Sequence, residues 1–199
     1  MDAHADPAGA AKESLDHAAV GALLHDVGKP PTFRVAERIR FDGHVDEGVR
    51  MAEVILNRLR YSRAEIDQVV ALIANHMKFK DVQQMKESTL KRFLRMPEFA
   101  EHLELHRMDV MASNKRLENY ELARRKLEEL SEELKPEPLI TGADLIAAGY
   151  QPGPEFSRIL RTVEDAQLEG RIATAGEAMA MVRDMFPHTA AGDTEGVLE

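Results

Sequence analysis

Ala22-Leu23-Leu24-His25-Asp26-Val27-Gly28-Lys29-Pro30-Pro31 runs from an apolar helical face into two polar side chains, a glycine and a pair of prolines. Leu15, Ala19, Val20, Leu23 and Leu24 recur at helical spacing, which predicts a helix over about residues 15–27. Gly28 and Pro30-Pro31 stop it. Adjacent helical positions point about 100° apart, so His25 and Asp26 can reach one ligand only near a helix end. That is where this stretch puts them. A neutral imidazole and a carboxylate are suitable ligands for Mn, Fe, Ni, Zn or, less well, Mg. The dipeptide alone is weak, because the His and Asp content of the chain gives roughly half an occurrence by chance.

Outward from this stretch the chain reads as all-α. Residues 28–42 form a connection in which Arg38-Ile39-Arg40-Phe41 alternates like a strand yet is short enough to be a loop. A helix follows from His44 to about Leu59. Another opens at Ser62, with Glu65 completing a capping box, and runs to His76. Shorter helices are predicted over 81–86 and 88–95, the second capped by Ser88. Pro97 starts one that reaches Ala112, and a charged helix covers about 115–134. Pro136 to Pro138 mark an internal boundary. Beyond it Thr141 and Thr174 read as N-caps, the latter boxed by Glu177. The organisation is a lead-in over 1–13, a domain over 14–135, a small helical segment over 136–187 and a tail over 188–199.

Bulk composition narrows the function classes. The 199 residues are 44% hydrophobic and 31% charged, an ordinary globular balance, with ten Met, few aromatics and no Trp. Without Cys there are no thiolate sites, so a metal must sit on imidazole and carboxylate. No apolar run approaches the length of a membrane span, and no secretory signal opens the chain, so a cytoplasmic protein with no membrane partner is expected. A net charge of −9 argues against a broad nucleic-acid grip, though a bound metal inverts the field locally. Lys78, Lys80, Lys86, Lys91, Arg92 and Arg95 stand against only Asp81 and Glu87, a basic run following His76 directly. It either faces a nucleotide or RNA end or is a solvated helical face.

The order of the polar residues carries a family resemblance. The stretch 22–30, then Arg40-Phe41-Asp42-Gly43-His44 with Gly48, then Ala74-Asn75-His76, and finally His106-Arg107-Met108-Asp109-Val110-Met111-Ala112-Ser113, resembles the HD phosphohydrolase superfamily. Ile140-Thr141-Gly142-Ala143-Asp144-Leu145-Ile146, Gly149, Pro152-Gly153-Pro154 and Gln167-Leu168-Glu169-Gly170 are similar to the C-terminal region of bacterial tRNA nucleotidyltransferases and poly(A) polymerases. The resemblance covers about residues 19–185. Nothing in the chain resembles the nucleotidyltransferase head, its Gly-Ser nucleotide loop or its paired aspartates.

The resemblance implies an HD-type helical bundle with a small C-terminal helical extension. It also implies a divalent metal (Mn, Ni, Fe, Mg or Zn) on His25, Asp26 and Asp109. Asp26 would bridge if two ions bind, and His44 and His76 would serve a second ion or the substrate phosphate. The family pattern has a further histidine about 20 residues upstream, for which His4 has acceptable spacing and His17 does not. Asp26 and Lys29 are the candidate catalytic residues, and Lys29, Lys78 and Lys80 the candidate phosphate contacts. Two functions remain open at this point. One is metal-dependent hydrolysis of a nucleotide or RNA-terminal phosphate ester. The other is a non-catalytic, RNA-positioning accessory module related to tRNA nucleotidyltransferases. Oligomeric state is not legible in the sequence.

Overall fold

A computed structural model of the chain describes residues 17–130 and 136–187. The chain divides into two units. The first comprises residues 17–84 and 96–129, and the second residues 85–95, 130 and 136–187. The class is all-α, as expected. Among the described residues the only extended structure is one antiparallel pair of two-residue strands, β1 (Arg34–Val35) and β2 (Ile39–Arg40).

The first unit begins with α1, described over 17–24, followed by a tight turn over 25–28. The prolines that were expected only to stop α1 instead open a short helix, α2 (Lys29–Thr32). The first turn of a helix needs no internal N–H bond, so proline costs nothing there. The expected loop over 38–41 is in fact half of the small hairpin. Then come α3 (His44–Arg58) and α4 (Arg63–Asn75). Ser62 caps α4 as its sequence predicts: the Glu65 N–H donates to Ser62 Oγ at 3.3 Å, and the Ser62 N–H to Glu65 Oε2 at 2.7 Å. The helix expected over 81–86 is replaced by a 3-10 helix over His76–Gln84 that buries His76, Phe79 and Val82. α6 (Phe99–Ala112) and α7 (Glu118–Glu129) complete the unit. Ala52, Leu56, Ile66, Val69 and Ile73 form the buried seam between α3 and α4, with Val20 and Leu24 of α1 packed on it. Burying aliphatic side chains of this kind contributes about 1.5–3 kcal/mol each.

The second unit contains α5 (Glu87–Leu94), α8 (Gly142–Ala147), α9 (Pro154–Leu168) and α10 (Ala175–Met185). Its core is Ile140, Leu145, Tyr150, Ile159, Val163, Ala178 and Val182. The Thr174–Glu177 box forms as predicted, with the Glu177 N–H donating to Thr174 Oγ1 at 3.2 Å. Ser88 does not cap α5. It lies inside the helix, buried, and donates to Glu169 Oε1 at 2.8 Å. The basic run is also not one solvated face. Lys91 is buried and donates to the Leu168 carbonyl at 2.8 Å. Arg92 pairs with both Glu164 and Asp165, and Arg95 with Glu164. These cations are consumed inside the unit.

Candidate metal centre

His25 and Asp26 sit just past the last residue of α1, where the backbone tightens: the Val27 N–H donates to Leu24 O at 3.0 Å and the Lys29 N–H to Asp26 O at 2.9 Å. Gly28 is what allows the next ligand to approach. A Cβ there would lie 2.1 Å from His44 O and 2.5 Å from Gly48 N, both fixed backbone atoms of α3. Gly43 (φ +80°) supplies the left-handed residue before α3, a conformation that costs glycine little. His44 is thereby the first residue of α3, facing the turn at 25–28.

Three imidazoles share one local device. His25 Nδ1 is 2.7 Å from Ala22 O, His44 Nδ1 2.9 Å from Phe41 O, and His76 Nδ1 2.6 Å from Ile73 O. A carbonyl only accepts, so each Nδ1 is the donor, and Nε2 of each ring is left facing the cluster. This second bond is the usual support of a ligating histidine. His76 is held below the ordinary histidine range, first by burial and also by its neighbours His25 and His44, against the opposing pull of the Ile73 carbonyl and Asp26. It is therefore neutral at neutral pH.

The free nitrogens converge. Single ligand atoms of Asp26, His44 and His76 all lie within 4.8 Å of one another. His25 Nε2 is 3.2 Å from Asp26 Oδ2 and 3.6 Å from Asp109 Oδ1, and His44 Nε2 is 3.9 Å from Asp26 Oδ1. The His76 ring lies 5.2 Å from that of His25 and 5.6 Å from that of His44. Nε2 of His44 and of His76 is buried with no hydrogen-bond partner. Orphaned buried nitrogens cost stability unless something fills them. Around one ion with bonds of about 2.0–2.2 Å, ligand atoms stand roughly 3–4.4 Å apart, so a slight closing completes the set. The residues fit a divalent cation.

Five residues anticipated as ligands, His25, Asp26, His44, His76 and Asp109, are thus brought together. Asp26 belongs to two groupings: with His44 and His76, whose ligand atoms are mutually within 4.8 Å, and with His25, which stands between Asp26 and Asp109. His4 lies outside the described residues. Lys29 Nζ is 2.5 Å from Asp26 Oδ2. Lys80 is exposed beside the centre, whereas Lys78 is exposed but lines neither depression at the site. His106 was missed by sequence reasoning. It is buried, stacks on Phe79 at 4.3 Å, leaves Nε2 without a partner, and lines one depression with His76 and Asp109. Its position three residues before Asp109 on a helix was the available signal.

The HD domain family model matches residues 3–148, which include every residue of this cluster. The chain belongs to the HD domain family. Among curated proteins it is 34% identical over 174 residues to a CC-adding tRNA nucleotidyltransferase of Thermus thermophilus, covering 83% of this chain and 39% of that protein. It is 33% identical over 172 residues to an A-adding tRNA nucleotidyltransferase of Deinococcus radiodurans, covering 81% and 40%. The chain therefore spans about two fifths of the length of these relatives. No solved structure matches it. HD domains bind divalent metals, and Asp26, His44 and His76 form the candidate site here. No helix among the described residues is long and apolar enough to cross a membrane.

Proposed function

We propose that the chain is a metal-dependent phosphohydrolase acting on a phosphate ester of a nucleotide or an RNA end. The observation that carries this reading is the set of three imidazoles with Nδ1 spent on a carbonyl and Nε2 aimed at Asp26. A divalent ion held there supplies Lewis acidity toward a phosphoryl oxygen and makes a nearby water more acidic. Asp26, His44 and His76 would hold the ion. His25 and Asp109 complete the polar lining, and Lys29 and Lys80 meet the negative charge of the phosphate.

A second reading is an accessory module that positions RNA without turning it over. It is favoured by the relatives named as tRNA nucleotidyltransferases, of which this chain spans only two fifths. Protein purified without chelator separates the two. Metal analysis should find an ion bound, and added Mn or Ni should support hydrolysis of bis(p-nitrophenyl) phosphate. If no metal binds and neither ion gives hydrolysis, the hydrolase reading fails and the accessory reading stands. A cytoplasmic setting belongs with either reading.

A further inference from the structure

Two depressions in the first unit meet at the metal cluster. One, of about 580 Å³, is lined by Lys29, Arg38, Arg40 and Lys80 together with His44. The other, of about 470 Å³, is lined by Gln83, Asn114, Arg116 and Asn119 together with His76 and Asp109. Lys80 and Met77 belong to both. Ligands of one cluster thus line two adjoining depressions, two arms that share the wall at Met77 and Lys80.

The arms differ in chemistry. The first carries four cations against Asp42, in a chain of net −9. Asp42 is drawn to Arg34 at 2.7 Å and lies 4.0 Å from Arg40. Among the described residues neither Arg38 nor Lys80 has an ion-pair partner within 4.0 Å. The hairpin stretch 34–40 holds Arg34, Arg38 and Arg40 against Glu37 alone, and Arg38 and Arg40 line the depression, a local positive field that favours a polyanion. A single phosphate at the metal would use Lys29 and Lys80 and leave the hairpin without a role. The second arm offers side-chain amides beside Glu118. Asn119 Oδ1 accepts from Gln83 Nε2 at 2.6 Å and Asn114 Oδ1 from the Arg116 N–H at 2.8 Å. The remaining amide capacity, Asn114 Nδ2 above all, suits a base edge or ribose. Phe33 and Ile39 also keep more than half their surface in water near the arginines, the phenyl ring offering a stacking face for a base and Ile39 apolar contact.

We infer that the groove holds a single strand of nucleic acid. Its phosphates run along the β1–β2 hairpin through Arg38, Arg40 and Lys80, and a nucleoside lies beyond the metal against Asn114 and Asn119. This deepens the hydrolase reading and rests on it for the scissile bond, but strand binding is testable without turnover.

The test is fluorescence anisotropy of labelled oligo(rA) and oligo(dA) octanucleotides with the full chain, no metal added, at about 50 mM salt. The strand should bind, and R38E/R40E and K80E should each weaken it by roughly tenfold, while Arg58→Glu, on an exposed helix end outside the groove, should not. Neutral R38A/R40A should flatten the salt dependence by about 0.7 in log–log slope per lost contact. Similar binding of both octanucleotides supports recognition through phosphates, and preference for oligo(rA) supports added contact to the 2′-hydroxyl. Unchanged affinity in R38E/R40E overturns the inference. So does binding confined to a duplex, or displacement of the octanucleotide by an equal concentration of adenosine monophosphate. Circular dichroism of the variants guards against misfolding, and K80E, outside the hairpin, gives an independent result. Strand binding without bis(p-nitrophenyl) phosphate hydrolysis supports this inference while overturning the hydrolase reading.

Discussion

In the second unit Arg92 sets its guanidinium against Glu164 and Asp165, Arg95 joins it on Glu164, and Lys91 reaches the Leu168 carbonyl. Every one of these polar groups is answered from within the unit. In the first unit His25, His44 and His76 each satisfy Nδ1 on the carbonyl three residues back. Nε2 of His44 and His76 is then buried without a partner. One unit closes its polar network and converts it into fold. The other leaves its network open toward a point in space, at a cost in stability that a bound cation recovers. A closed network should respond to mutation in stability, and an open one in ligand binding and activity.

The largest effect should follow Asp26→Ala. Asp26 is the carboxylate common to the tight cluster and to the His25–Asp109 arm. Hydrolysis should fall by about a thousandfold or more, equivalent to about 4 kcal/mol. The melting temperature of metal-free protein should stay within a few degrees, because the removed carboxylate is only partly buried and its partner Lys29 remains solvated. A collapse of helical circular dichroism together with activity would make Asp26 a structural residue and erase the contrast.

Arg92→Met should invert that pattern. It leaves Glu164 and Asp165, each about one third exposed, without their shared partner. Losing one member of a partly buried network costs about 2 kcal/mol after allowance for solvent screening. Urea unfolding should show this loss while the Mn affinity is unchanged. A changed affinity would mean that the closed network also supports the metal centre.

These two networks differ in how far they could be read from sequence. His25-Asp26 at the end of an apolar helix was legible from local rules, whereas His44, His76 and Asp109 were legible through the order of motifs that resembles the HD family. The Ser62 and Thr174 boxes are local as well, and both form. The second unit's network was not legible. Arg92 and Glu164 are 72 positions apart, so the basic run looked like a surface until packing paired it. Ser88 misled for the same reason, since its partner Glu169 lies 81 positions away. Pro30-Pro31 carried a stop signal that is equally a start signal. The hairpin was hidden because two-residue strands leave too short an alternation to separate from a loop.

Acid should distinguish the units at a smaller scale. His102 is buried, and desolvation first, with the nearby Lys78 charge, holds its pKa down to about 4. The unfolded chain therefore takes up a proton near pH 6.5 that the folded chain refuses, and stability falls as pH drops below that value. Between pH 7 and 5.5 this amounts to about 1 kcal/mol. Glu164 in the second unit is held below the ordinary carboxylate range because its bonds from Arg95 and Arg92 outweigh the raising effect of burial. Its contribution is kept until pH falls through the carboxylate range. Urea midpoints should decline from pH 6.5 in the native protein, and His102→Leu should reduce that decline, the remainder belonging to His76 and His106, which burial also holds below the ordinary histidine range. An equal slope in the variant would move the acid sensitivity elsewhere.

The smallest effect tests how open the metal centre is. Lys29 Nζ, 2.5 Å from Asp26 Oδ2, competes for the carboxylate whose other oxygen lies 3.9 Å from His44 Nε2 and which a cation at His44 and His76 would share. Both side chains are more than one third exposed, so the pair contributes at most about 1 kcal/mol, a factor of about five in an equilibrium constant. Lys29→Met removes the competing charge and should tighten Mn binding by up to that factor in calorimetric titration. Turnover should fall at the same time, because the phosphate loses a nearby cation. Tighter metal with slower turnover assigns Lys29 to the substrate. Weaker metal would show that Lys29 holds Asp26 in place and that this part of the first unit is closed after all.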